Sequence, residues 1–161
     1  SISVNEFEST IIDNSSEYIE RAEKCLAEVE ASDYIALLKR SMRRYEISLG
    51  NTYFTNLRKD SSIEIGTLKR CSYNMVELDG VYFLNKMKRN GLVADFGELI
   101  NKFCEIEGLE QNSSKFMRAL ISYPHEYMKC VEKYRKNNKN LSIDDFKLCL
   151  KRAIEKDGKS I

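Results

Sequence analysis

The chain has 161 residues, 42% of them hydrophobic and 10% aromatic; this is one domain's length with enough apolar material for a core, and it excludes wholesale disorder. Its 26 basic and 25 acidic residues leave a net charge of +1, which removes any general drive toward nucleic acid or anionic membrane. No apolar run approaches the roughly 18 residues that cross a bilayer, and residues 1–8 lack the basic start and apolar stretch of a signal peptide.

Helical periodicity dominates both ends, and a single proline leaves helices free to run. Asn14 followed by Glu17 resembles a capping box, and Tyr18, Ile19, Ala22, Cys25, Leu26 and Val29 form a stripe behind it. Ser32 is expected to cap a second helix with Tyr34, Leu37, Leu38 and Met42 on its inner face. From Tyr45 to Asn74 the pattern changes. Short β-prone pieces alternate with turn residues at Gly50-Asn51 and at 59–62, which predicts strands and loops. Helix is expected again from Glu77 to Asn90, with Leu78, Val81, Tyr82 and Met87 inward and Gly91 as the stop. A further helix runs from about Val93 to Glu107 and ends at Gly108. Ser113 or Ser114 opens a short one with Phe116 and Leu120, which breaks at Tyr123-Pro124. The chain restarts at Pro124 with Tyr127, Met128, Val131 and Tyr134 inward. Ser142 and Asp145 cap a last helix carrying Phe146, Cys149, Leu150, Ala153 and Ile154.

The five cysteines, Cys25, Cys71, Cys104, Cys130 and Cys149, are odd in number and show no C-x-x-C spacing, so they are read as reduced small hydrophobes. One histidine, His125, cannot build a structural zinc site with them, and without a nucleophile partner it reads as a surface residue. Asp144-Asp145 and Glu105/Glu107 read as helix-start and solvated-face charges. Tyr18, Tyr34, Tyr45, Tyr82, Tyr127 and Tyr134 are assigned to core packing. Basic groups cluster at Lys39-Arg40 with Arg43-Arg44, at Lys86-Lys88-Arg89, and at Lys133-Arg135-Lys136-Lys139. A helical nucleic-acid-binding domain is the rival they raise. Interspersed acids and the lack of a helix pair joined by a tight glycine turn favour ordinary solvation.

The segment Ile47-Ser48-Leu49-Gly50-Asn51-Thr52-Tyr53-Phe54-Thr55-Asn56 resembles the catalytic loop of aminoglycoside-phosphotransferase-like kinases, whose pattern is H-G-D-x-x-x-x-N. Further on, Gly66-Thr67-Leu68-Lys69-Arg70-Cys71-Ser72-Tyr73-Asn74 resembles the I-D-F-D-Y-C-x-x-D segment of one branch, the spore-coat kinase-like (CotS) family. Flanking stretches agree in order: Ser16 to Ala22, Ala31 to Tyr34, Val76 to Asp79, Lys86 to Gly91, Ile121 to Tyr127 and Glu132 to Tyr134. The resemblance implies a mainly α fold, a kinase-like C-terminal lobe over residues 1–161 with a β-hairpin insert near residues 54–70. It also implies a preceding β-rich lobe that would cover nucleotide.

The departures set the functional expectation. Asn51 stands where the resemblance implies the catalytic aspartate, and an amide has no useful basicity. Leu49 replaces the preceding histidine. Thr67 stands at the metal-binding aspartate and offers no anionic oxygen to magnesium. Asn56 alone remains as a possible metal ligand. No G-x-G-x-x-G or G-x-x-x-x-G-K-[ST] loop is present to cradle phosphate. The expectation is a pseudokinase with vestigial positions Asn51, Asn56 and Thr67, no cofactor and no resident metal. Its expected role is structural or interactive, with other spore-coat proteins as partners, in the spore coat or mother-cell cytoplasm. Small-molecule phosphotransfer by a complete two-lobed protein is the alternative from the enzyme class. An adaptor that binds acidic partners through the Lys39 to Arg44 face is a third.

Overall fold

The computed structural model describes residues 2–136 and 142–161. Among these residues the chain runs α1 (Ile2–Ala27), α2 (Ala31–Arg44), β1 (Ile47–Ser48), β2 (Leu57–Lys59), β3 (Ile63–Ile65), β4 (Ser72–Tyr73), α3 (Glu77–Arg89), α4 (Phe96–Glu107), α5 (Gln111–Ser122), α6 (His125–Arg135) and α7 (Ile143–Asp157). The fold is mainly α. The expected order of two helices, an insert and a run of helices is found. Antiparallel β2–β3 is a hairpin inside residues 54–70, and β1 pairs antiparallel with β4, Ile47 opposite Tyr73.

Several helix boundaries differ from the sequence expectation, each for a local reason. Helix α1 begins at Ile2, so Asn14 lies within it; no glycine or proline interrupts residues 2–27. Ser32 lies inside α2, whose N-cap is Glu30 without a side-chain bond. Ser113 does not open α5, because its hydroxyl is taken by Arg40. Helix α4 starts at Phe96, where Asp95 accepts from the Glu98 amide. The capping box at Ser142 and Asp145 forms as expected. At the other end of α5, Tyr123 takes the extended conformation (ψ 132°) that a following proline imposes.

Helix α5 sits at the centre, touching α1, α2, α3 and α4. One apolar cluster joins α3, α4 and α5 through Val81, Leu84, Phe96, Ile100, Met117 and Ile121. Gly80 permits that close approach, since a Cβ there would lie 2.7 Å from the Met117 methyl. A second cluster packs α1 on α6 and α7, with Tyr18 stacked on Tyr127 at 4.0 Å and Phe146, Leu150 and Ala153 beside them. Leu37, Met75 and Phe116 form the third. Cys25, Cys104 and Cys130 are buried, Cys104 in the first cluster and Cys130 in the second, as small hydrophobes should be. The predicted stripes are too wide, however: Ile19, Leu26, Tyr34, Leu38, Met42, Tyr45 and Tyr82 are exposed.

Polar contacts close the helix ends. Asp157, buried at the end of α7, accepts from the Glu126 and Tyr127 amides at the start of α6. Arg21 of α1 donates to the Ser122, Gly158 and Asp157 carbonyls, which ties α1 to the ends of α5 and α7.

The strongest polar link lies on the other side of α5. Arg40 of α2 forks onto Glu77 of α3 at 2.7 and 2.8 Å and onto Glu46, just before β1, at 3.2 and 3.0 Å. It also donates to Ser113 Oγ at 2.8 Å. Glu77 is 0% exposed. Burial opposes its charge, but the hydrogen bonds from Arg40 and Ser113 outweigh burial and hold the carboxyl below its usual range. Such a group contributes stability above its unfolded pKa, about 4.3, that is lost as pH falls through the folded value. Arg40→Met is expected to cost about 3–5 kcal/mol in urea unfolding at neutral pH, because two buried carboxylates lose their counter-charge. The gap between variant and wild type should narrow in acid as Glu77 takes up a proton.

Candidate functional site

The insert between α2 and α3 holds all three sequence-selected positions. Strand β1 delivers the chain to a loop, and Asp79 in the first turn of α3 anchors it. The Asp79 carboxylate accepts from Ser48 Oγ at 2.9 Å, the Leu49 amide at 2.6 Å and the Gly50 amide at 2.9 Å. Gly50 turns the chain at φ +62°, and a Cβ there would lie 2.5 Å from the Arg70 carbonyl oxygen. Both the dihedral and the space require glycine. Phe54 then packs edge-on against Phe83 of α3 at 5.4 Å, pinning the far side of the loop.

Asn56, 3% exposed, joins the other two positions. Its Nδ2 donates to the Asn51 carbonyl at 2.8 Å and to the Thr67 carbonyl at 3.2 Å. Its Oδ1 accepts from the Thr67 amide at 2.7 Å. The Gly66 amide also donates to the Asn56 carbonyl, which closes the base of the β2–β3 hairpin. Residues 51, 56 and 67 therefore meet around one carboxamide. Thr67 Oγ1 accepts from the Lys69 amide at 3.3 Å, and Thr52 Oγ1 is buried nearby in sequence without a partner among the described residues.

This arrangement has limited chemistry. The Asn56 side chain is engaged at both ends with backbone, so the one residue left as a possible metal ligand is a staple. Asn51 supplies an amide and Thr67 a hydroxyl, neither of which is a base at neutral pH. The Asp79 carboxylate is bonded to three donors of the loop. Among the described residues, no group of three or more His, Cys, Asp or Glu side chains is placed to hold a metal ion. Nor is any helix among them long and apolar enough to cross a membrane.

Comparison of the chain with protein-family models, with curated proteins and with solved structures gives no match.

The basic clusters do not form one face. Arg40 is internal, and Lys86 lies over the Tyr53 ring at 5.3 Å. Lys88 donates to the Ile121 and Lys159 carbonyls; burial, with Arg21 beside it, pushes its ammonium down to about 8. Arg89 pairs with Glu126 at 3.3 Å and Lys136 with Glu132 at 2.7 Å. Lys139 lies outside the described residues. His125 is exposed, as expected, its ring 4.8 Å from Tyr123 at the edge of a groove of about 830 Å³ that Tyr53 and Lys86 also border.

Asp79 is the residue sequence reasoning passed over. An aspartate in a first helical turn reads as a dipole charge, and nothing local marks its hold on a loop thirty residues earlier. Asp79→Ala is expected to leave buried loop donors unpaired, costing about 1–3 kcal/mol; hydrogen exchange at Leu49 and Gly50 should accelerate more than exchange in α7. Gly50→Ala should cost about 1–3 kcal/mol or more through backbone strain alone, measured by urea unfolding. At Gly66 the added methyl would stand 3.3 Å from the Asn56 oxygen, so Gly66→Ala should be milder.

Proposed function

We propose that the chain is a catalytically degenerate kinase-type C-terminal lobe, of the aminoglycoside-phosphotransferase kind and its spore-coat branch, and that it acts as a structural or interaction protein. The observation that carries this reading is the single carboxamide of Asn56 bonded to both Asn51 and Thr67. Phosphoryl transfer needs a base and a metal-binding carboxylate facing one phosphoryl group. The resemblance assigns those roles to positions 51 and 67, far apart in sequence and separated by a hairpin. Their meeting at Asn56 supports that assignment.

The residues found there support loss of the chemistry. An amide and a hydroxyl replace the two charges, and the third position is consumed in holding the loops together. Meanwhile the supports of the loop remain in working order: the Asp79 anchor, the Gly50 turn and the Phe54–Phe83 contact. A scaffold kept while its charges are gone fits a protein whose surface is in use. By the resemblance, its partners would be other spore-coat proteins.

In a full-length version of the protein, ATP with magnesium is expected to leave the melting temperature unchanged. A magnesium-dependent rise of several degrees would overturn the reading and restore the phosphotransferase alternative. The double variant Asn51→Asp, Thr67→Asp serves as the positive control: Mn²⁺ should broaden its Asn56 side-chain amide resonances and leave those of the wild type sharp.

A further inference from the structure

The groove bordered by Tyr53 and His125 gathers rings and cations that lie far apart in sequence. Its volume of about 830 Å³ falls in the range that encloses a small organic ligand. Tyr82, Lys86 and Arg89 share one face of α3 and form one wall. His125, Lys129 and Glu132 share one face of α6 and form the other. Tyr53, from the loop after β1, and Lys156 of α7 complete the lining used here. Arg89 and Glu126 bridge the two walls at 3.3 Å.

Four aromatic rings line this groove: Tyr53, Tyr82, Tyr123 and His125. Helix α3 turns Val81 and Leu84 into the core but leaves Tyr82 48% exposed, and Tyr53 is 45% exposed. Phe54 and Phe83, their chain neighbours, pack edge-on at 5.4 Å and tie the loop of Tyr53 to the helix of Tyr82. Tyr123 and His125 are tilted by 60° at 4.8 Å, so neither ring covers the face of the other. Open ring faces held by rigid elements are stacking surfaces for flat ligands.

Charge selects among flat ligands. Lys86, Arg89, Lys129 and Lys156 line the groove against two carboxylates, Glu126 and Glu132. Both carboxylates are already matched, Glu126 by Arg89 and Glu132 by Lys136 at 2.7 Å. Lys86, Lys129 and Lys156 have no acidic partner among the described residues; Lys86 instead lies over the Tyr53 ring at 5.3 Å. The chain's net charge of +1 gives no general attraction for anions, so this excess is local. Several cations beside several open rings match a ligand that alternates phosphates with flat bases. An acidic peptide would use the lysines and leave the rings idle. A duplex keeps its base faces stacked inside, where rings recessed between two helices do not reach them.

We propose that the groove between α3 and α6 binds single-stranded nucleic acid, with bases stacked on Tyr53 and Tyr82 and phosphates held by Lys86, Lys129 and Lys156. The inference names a partner class beyond the interaction role proposed above. It uses none of residues 51, 56 and 67 and needs no magnesium, so it holds or fails apart from the nucleotide test.

The experiment is fluorescence anisotropy of labelled oligouridine and oligothymidine with the whole chain, in EDTA. Binding is expected with a Kd of roughly 1–100 μM at low salt, weakening as salt rises with a log–log slope of about −2 to −3. Lys129→Ala with Lys156→Ala should flatten that slope by about 1 to 1.5. Tyr82→Ala should cost about fivefold or more in affinity, and Tyr82→Phe should retain binding because the ring remains. These three side chains are exposed, so the melting temperatures of the variants should stay near wild type. A preference for either oligonucleotide supports the proposal and assigns the sugar. The proposal is overturned if neither strand binds at low salt, or if a duplex of equal length binds as tightly. Equal affinity for heparin or polyglutamate, or indifference to Tyr82→Ala, would overturn it too, since charge alone would then account for the binding.

Discussion

The fork of Arg40 is the contact on which the geometry of this chain most depends. It lies where α2, the approach to β1, the first turn of α3 and the first turn of α5 converge, and it satisfies two buried carboxylates and a buried hydroxyl at once. Hydrophobic contact would allow these elements to slide, because apolar packing is non-directional. A guanidinium bonded in fixed directions does not. With α2 and α3 set, both ends of the insert are set, and Asp79, two residues beyond Glu77, reaches the loop that follows β1.

Much of this fold could be read from the sequence, and the misses have one physical origin. Periodicity located the helices, and turn residues located the hairpin, because those signals are local. Periodicity does not say which part of a wide stripe faces inward. Tyr18 and Leu37 are core, while Ile19 and Met42, on neighbouring faces, are exposed. Capping signals misled at Ser32 and Ser113 because a serine near a helix start has other uses; Ser113 serves a partner 73 residues away in sequence. The candidate site followed the same division. Motif order gave Asn51, Asn56 and Thr67, but that Asn56 holds the other two is a property of the folded loops.

Asn56 also shows how one neutral side chain can hold two loops together. Hydrogen bonds from a neutral carboxamide to backbone need no metal and no neighbouring charge, so the Asn56 bonds do not depend on the side chains at 51 and 67. Two carboxylates close together repel unless a cation lies between them. Asn51 and Thr67 are uncharged, so no such repulsion acts where Asn56 joins their backbone.

Helix α2 connects this interior order to the surface. Its inner side presents Leu37, Arg40 and Ser41 to the core and the ion network; its outer side presents Leu38, Met42 and, at its end, Tyr45. Fixing one side fixes the other, since a helix transmits orientation as a rigid body. A groove beside β4 is therefore set by the same contacts that order the interior. Tyr45 closes α2 at φ +51° and belongs to the same economy of structure: Glu46, the next residue, must turn inward to reach Arg40. The left-handed step at 45 makes that turn and leaves the tyrosine ring outside. The buried ion network and the exposed aromatic edge are two consequences of one change in chain direction.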